Sequence, residues 1–220
     1  MSTQADRRYL GNGAAYHVLL ALLLLQMALH PVGSGRGLLS RLTLAAVFIA
    51  CIWAVASQRR LLVVALLLGV PALASAFIPD GLAATASLVL GMAMMGFICV
   101  VFLSRVFKHP VVTSGTVSAS LVVYLLLGII WYQAYQLVEQ FLPGSFYGVA
   151  AGDGVATAGE LFYYSFVTLT TLGYGDMGPV SDYARSLAIT EAVVGQLYLV
   201  VLVASLVGMY LTDRGRSTGE

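Results

Sequence analysis

Long apolar runs, separated by short polar breaks, extend along almost the whole chain. A helix that crosses the hydrocarbon core of a bilayer needs about 20 consecutive apolar residues. The last three runs meet this requirement, the first is slightly short, and Pro71 interrupts the third, where it is expected to kink the helix. We therefore predict six membrane-spanning helices, at positions 14–29, 38–56, 61–78, 82–103, 117–138 and 187–211.

The break between the fifth and sixth runs is far too long for a simple turn. Its first part, residues 140–159, is rich in glycine and polar residues and is interpreted as an exposed outer loop. Residues 160–170 are then apolar and aromatic for about three helical turns, which is too short to cross a bilayer. This pattern predicts a re-entrant helix that is buried in protein rather than in lipid.

The composition places the chain in a membrane. Of its 220 residues, 60% are hydrophobic and 10% are charged, whereas about a quarter of a soluble domain is charged. The net charge of +1 gives no reason to expect a nucleic-acid partner. Cys51 and Cys99 both lie in apolar runs and are interpreted as small core residues rather than as a disulfide or a metal site. The predicted fold class is therefore an all-α membrane protein.

Basic residues concentrate on one side of the predicted helices. If the amino terminus is cytoplasmic, the inner loops contain eight of the eleven Lys and Arg residues, as the positive-inside rule requires. We therefore expect a multi-pass protein of the cell membrane with both termini in the cytoplasm. A cleaved signal peptide is the competing interpretation of the first run, because Arg7 and Arg8 precede it. We favour an uncleaved helix, because the run is longer than a typical signal core and no Ala-x-Ala-like site follows it.

A glycine-containing segment follows the predicted re-entrant helix and carries the chemistry of the chain. Its alternate glycines permit backbone conformations that residues with a Cβ disfavour, so that consecutive carbonyls can point the same way. Four copies around one axis would form stacked rings of oxygens that replace the water shell of a cation, and the Thr171 hydroxyl would add one more ring. This TLGYGD segment consists of Thr171, Leu172, Gly173, Tyr174, Gly175 and Asp176.

The TLGYGD segment, together with Thr168, resembles the signature sequence of potassium channels. It departs from the T-V-G-Y-G filter of that family at one position, Leu172. The resemblance extends over residues 117–211 and implies a homotetramer whose filter loop lies between the fifth and sixth helices. It also implies K+ as the permeant ion, without a cofactor. The filter residues would be Thr171 to Gly175, and K+ would bind at Thr171, Leu172, Gly173 and Tyr174.

The same resemblance suggests supporting roles near the filter. Tyr163 and Tyr164 match the aromatic cuff that braces the filter in this family. Gly195 lies where many family members have a glycine hinge in the inner helix. Asp176 would lie at the outer mouth and add negative charge where ions enter.

The sixth run is expected to line a cavity below the filter. With Gly195 as the hinge, the last three members of the predicted pore-facing stripe would form a hydrophobic constriction that gates by dewetting. The alternative is that this stripe is ordinary helix-packing surface. The stripe consists of Gln196, Leu199, Val203 and Val207.

Glu191 is the one acidic residue well inside a predicted span. Ionisable groups in a membrane are functional candidates, because their burial is costly. One interpretation is that Glu191 supports the filter from behind, near Thr168 or Thr170, in a protonated form. The other is that it lies close enough to the outer interface to be solvated, and the sequence leaves both open.

The fourth run carries no row of basic residues. It contains no Arg or Lys before Arg105, so we expect no conventional voltage sensor. Residues 1–104 are predicted to form a four-helix membrane domain that resembles a voltage-sensor domain without its charges. An interfacial linker at 105–116, a pore domain at 117–211 and a short cytoplasmic tail at 212–220 complete the predicted organisation.

Three other functions compete with a potassium channel: a poorly selective cation pore, a potassium transporter and a non-conducting regulatory subunit of a channel complex. Tyr174 argues against the first, and the presence of one filter-like loop rather than four argues against the second. An enzyme is not expected, because the chain has no H-E-x-x-H, G-x-S-x-G or phosphate-loop motif. The expected partners are further copies of the chain and the lipid bilayer, with an unknown regulatory subunit as a further candidate.

Overall fold

The structure, a computed structural model, describes residues 13–29, 38–76, 81–108, 113–149 and 154–217. Within these ranges the chain forms seven helices and one two-stranded ribbon. The helices are α1 (Gly13–Leu29), α2 (Leu38–Val55), α3 (Arg59–Ala76), α4 (Leu82–Lys108), α5 (Ser114–Phe141), α6 (Ala158–Leu169) and α7 (Asp182–Ser217), and the strands are β1 (Phe146–Tyr147) and β2 (Gly178–Pro179).

Each predicted apolar run coincides with a helix. In the described part of the chain, three helices are long and apolar enough to cross a membrane: Leu82–Phe107, Ser114–Phe141 and Asp182–Gly208. These are the three runs whose length met the requirement in the sequence. The apolar portions of α1 and α2 are shorter, so six spans remain a prediction. Helix α3 continues through Pro71 to Ala76.

The connection between α4 and α5 is shorter than the predicted linker at 105–116. Helix α4 continues to Lys108, and α5 begins at Ser114. Thr113 caps α5, because its hydroxyl accepts the Thr116 N–H while the Thr116 hydroxyl accepts the Thr113 N–H. Only residues 109–113 therefore connect the two helices, and 109–112 lie outside the described residues.

Helices α1 to α5 pack in a closed ring in which each helix contacts the next and α5 contacts α1. Their shared core includes Leu19, Phe102 and Val122, all fully buried. Close approach of α4 to α5 depends on Gly91, where an added Cβ would lie 2.9 Å from Gln133 Nε2. Helices α1 and α4 thus pack directly on α5, the helix that leads to α6, and α2 and α3 complete the ring.

Arg105 joins three helices at one end of this ring. Its Nη1 donates to the Tyr16 hydroxyl at 2.8 Å and to the Ala54 carbonyl at 3.2 Å. These hydrogen bonds connect α4 to α1 and α2. The charged residue that sequence analysis placed in a linker is therefore part of a helix and has neutral partners. Arg7 and Arg8, which bear on the signal-peptide question, lie outside the described residues.

A second core contains residues of α5, α6, α7 and the segments between them. Strands β1 and β2 pair in antiparallel register, with Phe146 opposite Pro179 and Tyr147 opposite Gly178. This ribbon was not predicted, and it ties the loop after α5 to the residues that follow the TLGYGD segment. Gly148 (φ 78°) is required beside it, because a Cβ there would lie 1.9 Å from the Asp176 carbonyl oxygen.

Candidate functional site

Helix α6 is the predicted short helix between two long ones, and it positions the TLGYGD segment. A capping box starts it: the Thr157 hydroxyl accepts the Glu160 N–H, and the Glu160 carboxylate accepts the Thr157 N–H. The helix ends at Leu169, and Thr170 caps it by donating its N–H to the Phe166 carbonyl. Helix α6 contacts both α5 and α7, so protein rather than lipid surrounds much of it.

The backbone of the TLGYGD segment alternates in handedness. Thr171, Gly173 and Gly175 have φ angles of 58°, 57° and 76°, and the described backbone has no other non-glycine residue with positive φ besides Thr171. Leu172 and Tyr174 therefore have negative φ. A β-branched residue with positive φ is strained, and such strain is typical of functional sites.

Amide groups of this segment turn back towards α6. The Thr171 N–H donates to the Thr168 carbonyl at 3.0 Å. The N–H groups of Leu172 and Gly173 both donate to the Val167 carbonyl, at 3.0 and 3.3 Å. The last turn of α6 thus holds the start of the segment, and Thr168 takes part through its backbone carbonyl.

Large side chains of the TLGYGD segment are exposed in a single chain. Leu172 is 55% exposed and Tyr174 is 66% exposed. All six residues of the segment are exposed. An ordered segment with two exposed apolar side chains is typical of a contact surface.

The two adjacent tyrosines of α6 have different environments. The Tyr163 hydroxyl donates to Asp176 Oδ2 at 2.7 Å, and Asp176 Oδ1 accepts the Met177 N–H at 3.0 Å. This hydrogen bond to Asp176 is the main cause that raises the pKa of Tyr163 to about 12, so its hydroxyl keeps its proton at neutral pH. Tyr164 is buried, with its ring centroid 5.2 Å from that of Tyr135. Only Tyr163 contacts the end of the TLGYGD segment.

Residues 119–212 match the family model described as "Ion channel". A voltage-gated potassium channel, Kch, of Escherichia coli (strain K12) is 29% identical over 119 residues, which cover 54% of this chain and 26% of that protein. Two pore potassium channel c of Oryza sativa subsp. japonica is 33% identical over 91 residues, or 41% of this chain and 18% of that protein. No solved structure matches significantly.

The chain therefore spans about a quarter or less of the length of these curated relatives. The matched residues include most of α5, all of α6 and most of α7. The match to the ion channel model and the three long apolar helices of the described residues support a membrane protein.

Within the residues that match the ion channel model, α7 lies directly against the end of α6 at Gly195. A Cβ on Gly195 would lie 2.7 Å from the Leu169 carbonyl oxygen and 2.9 Å from Leu169 Cδ1. A glycine is needed here for close packing, whereas its role as a hinge stays a prediction. One residue further, Gln196 Nε2 donates to the Thr171 hydroxyl at 3.4 Å.

The predicted pore-facing stripe of α7 is exposed in the single chain. Leu199, Val203 and Val207 are 41%, 57% and 52% exposed. Other faces of α7 are exposed as well, including Leu197 and Val200 at 58% and 63%. Exposure alone therefore does not distinguish a pore-lining face from a packing face, and the hydrophobic constriction remains a prediction.

Glu191 is completely buried, which excludes solvation at the outer interface of the single chain. Its Oε1 lies 2.6 Å from Ser165 Oγ, and its Oε2 accepts the Tyr135 hydroxyl at 2.5 Å. It therefore lies behind α6, as one interpretation proposed, but its partners are Ser165 and Tyr135 rather than Thr168 or Thr170.

Sequence analysis missed a second buried carboxylate, Glu139, near the end of α5. Its oxygens accept the backbone N–H groups of Gly144, Ser145 and Ala156, at 2.9, 3.0 and 2.9 Å. The signal available in the sequence was an acidic residue at the end of a long apolar run. Glu139 thus fixes the segments that flank the loop between α5 and α6.

Among the described residues, no group of three or more His, Cys, Asp or Glu side chains is placed to hold a metal ion. The oxygens of the TLGYGD segment are its backbone carbonyls, the hydroxyls of Thr171 and Tyr174 and the carboxylate of Asp176.

Proposed function

We propose that four copies of this chain form a potassium-selective channel that conducts K+ passively across the cell membrane. The observation that carries the proposal is the alternation of φ along the TLGYGD segment, positive at Thr171, Gly173 and Gly175. Alternating handedness turns successive peptide planes so that their carbonyls lie on one side of the chain. A row of carbonyls on one side is what a ring of four copies needs in order to replace the hydration shell of K+.

The hydrogen bonds of the segment support the same orientation. Because the N–H groups of Leu172 and Gly173 are directed to Val167, the opposite side is left for carbonyl oxygens. K+ would bind between successive oxygens of Thr171, Leu172, Gly173 and Tyr174, with Gly175 completing the filter. Asp176, which Tyr163 holds in place, would concentrate cations at the outer mouth.

Assembly follows from what a single chain leaves exposed. Burial of the exposed Leu172 and Tyr174 side chains requires a further protein surface, and α7 exposes apolar side chains on more than one face. In a tetramer one face of α7 would line the axis, with Gln196 directly below Thr171, and another would contact the neighbouring subunit. The carboxyl end of α6, which carries a partial negative charge, would favour a cation in the cavity below.

Opening does not depend on a conventional voltage sensor in this proposal. Helix α4 has its basic residues only in its last turn, at Arg105 and Lys108. Arg105 is engaged with the neutral Tyr16 hydroxyl and the Ala54 carbonyl. A row of charges that moves through the field is therefore missing from α4. Six spans with both termini in the cytoplasm are proposed for the topology.

Two curated relatives support potassium as the ion, since both are named as potassium channels. A non-conducting regulatory subunit is the alternative function, and it requires no ion path of its own.

Ion flux into liposomes that contain only the purified chain tests the proposal. K+ flux that exceeds Na+ flux is expected from the wild type and is expected to be lost in Gly173→Ala. Gly81→Ala is a matched control: Gly81 also has positive φ, at 71°, and a Cβ at either position meets nothing within 4 Å. Both variants carry a similar backbone penalty of about 1 kcal/mol, so only the position distinguishes them. No flux from a correctly folded wild type would favour the regulatory subunit.

A further inference from the structure

Three helices meet at a buried polar cluster behind the TLGYGD segment. The cluster consists of Tyr135 on α5, Ser165 on α6 and Glu191 on α7, and all three residues are 0% exposed. Since a single chain already buries the cluster completely, its chemistry does not depend on assembly.

The contacts of the cluster require more hydrogens than its two hydroxyl groups supply. Ser165 Oγ lies 2.8 Å from the Gly128 carbonyl oxygen and 2.6 Å from Glu191 Oε1. The Tyr135 hydroxyl lies 2.5 Å from Glu191 Oε2. A carbonyl oxygen only accepts, so the single hydrogen of Ser165 is used at Gly128. The single hydrogen of Tyr135 is used in its contact with Glu191 Oε2. The remaining contact, between Ser165 Oγ and Glu191 Oε1, needs a third hydrogen.

Only Glu191 can supply that third hydrogen. An ionised carboxylate accepts and never donates, whereas a carboxylic acid has one O–H group. With the acid proton on Oε1, Glu191 donates to Ser165 and accepts from Tyr135 at Oε2, and every oxygen of the cluster is satisfied.

The surroundings of Glu191 give no compensation for a negative charge. The titratable groups that act on it from the packed helices are tyrosines: Tyr124 and Tyr135 on α5 and Tyr164 on α6. In the part of the chain that the structure describes, the one ion pair joins Arg185 to Asp182, at the exposed start of α7. An unpaired buried charge is costly, so the neutral acid is favoured.

We propose that Glu191 is a protonated carboxylic acid in the folded protein at neutral pH, and that by donating to Ser165 it fixes α6 against α7. The role of Glu191 in positioning the TLGYGD segment rests on the proposed channel function. The protonation of Glu191 does not depend on that function. Its position one helical turn before Gly195 places this link beside the closest contact between α6 and α7.

Glu139 provides an internal comparison, because its contacts are with hydrogen-bond donors alone. Three backbone N–H groups donate to Glu139, so both of its side-chain oxygens act as hydrogen-bond acceptors. Replacement by glutamine should therefore be tolerated at Glu191, where the amide N–H₂ replaces the acid O–H. The same replacement at Glu139 should not be tolerated, because the new N–H₂ group would face backbone N–H groups and neither side could accept a hydrogen bond.

Infrared difference spectra between wild type and Glu191→Gln test the protonation directly. The carbonyl stretch of a protonated carboxylic acid should be present at pH 7 in the wild type and absent from the variant. Ser165→Ala should shift this band, because the acid then loses its acceptor. A wild type that loses only carboxylate bands on the same substitution would overturn the proposal, whether or not the protein conducts K+.

Stability and selectivity give the second readout. Glu139→Gln should lower the folded-to-unfolded ratio by about tenfold or more, since it leaves buried donors unsatisfied. Glu191→Ala should lower both this ratio and the preference for K+ over Na+, and Glu191→Gln should restore them. If Glu191→Gln is as damaging as Glu139→Gln, an ionised Glu191 is required and the proposal is wrong.

Discussion

Replacing Gly195 by alanine tests whether α7 must lie directly against the end of α6. The new Cβ would lie 2.7 Å from the Leu169 carbonyl oxygen, about 0.7 Å closer than the 3.4 Å at which ordinary contact begins. This oxygen is not free to move, because it belongs to the helix backbone and accepts the Tyr124 hydroxyl at 3.2 Å. The two helices must therefore separate, and the start of the TLGYGD segment moves with α6.

The net energetic effect is the difference of two terms. Alanine is favoured over glycine in a helix interior by about 1 kcal/mol. Overpacking a close contact costs about 1–3 kcal/mol, so a net loss of about 0–2 kcal/mol is expected. If this loss of free energy destabilises the conducting arrangement of the channel, the population of that arrangement falls by up to about 30-fold.

The assay combines K+ flux in liposomes with thermal unfolding of the same preparation. Gly96→Ala is the matched control, because Gly96 also lies inside a helix and a Cβ there meets nothing within 4 Å. It should be stabilising by about 1 kcal/mol and leave K+ flux unchanged. If Gly195→Ala conducts like the wild type and gains the same stability as Gly96→Ala, the close contact has no role in placing the segment.

Three further substitutions test other contacts of the site. Tyr163→Phe removes a hydrogen bond of about 1 kcal/mol to Asp176, so K+ current should decline faster during sustained opening, and an unchanged time course in bilayer recordings would argue against this support. Arg105→Gln should lower the melting temperature, because contacts to Tyr16 and α2 are lost, but should leave the voltage dependence of current unaltered; a shifted activation curve would contradict a sensor-free α4. Gln196→Leu should increase block by a quaternary ammonium ion applied from the cytoplasmic side, since it makes the top of the cavity more apolar, and unchanged block would remove Gln196 from the ion path.

Hydropathy was sufficient to predict where the helices lie but not where they end. The fifth run was predicted at 117–138, whereas α5 ends at Phe141 and starts at Ser114, where a capping box between Thr113 and Thr116 begins the helix. Helix α4 continues past Arg105, whose Nη1 donates to Tyr16 and Ala54, and such distant partners cannot be recognised from local sequence. The start of α6 was readable, since Thr157 and Glu160 have capping-box spacing.

The candidate site was likewise predicted only in part from the sequence. Alternate glycines predicted the unusual backbone at Gly173 and Gly175, and the structure adds positive φ at Thr171. The environment of Glu191 was left open, because its partners Tyr135 and Ser165 are 56 and 26 residues away in the chain. Local sequence carries no information on contacts of that separation.

The central claim is potassium selectivity, and the reversal potential of current through the purified protein tests it most directly. In planar bilayers with different K+ concentrations on the two sides and Na+ added to equalise the total cation concentration, the current should reverse near the equilibrium potential of K+. Gly173→Ala should shift this value towards zero, and Gly81→Ala should not. A wild-type current that reverses near zero would contradict the account, because the pore would then admit Na+ as readily as K+.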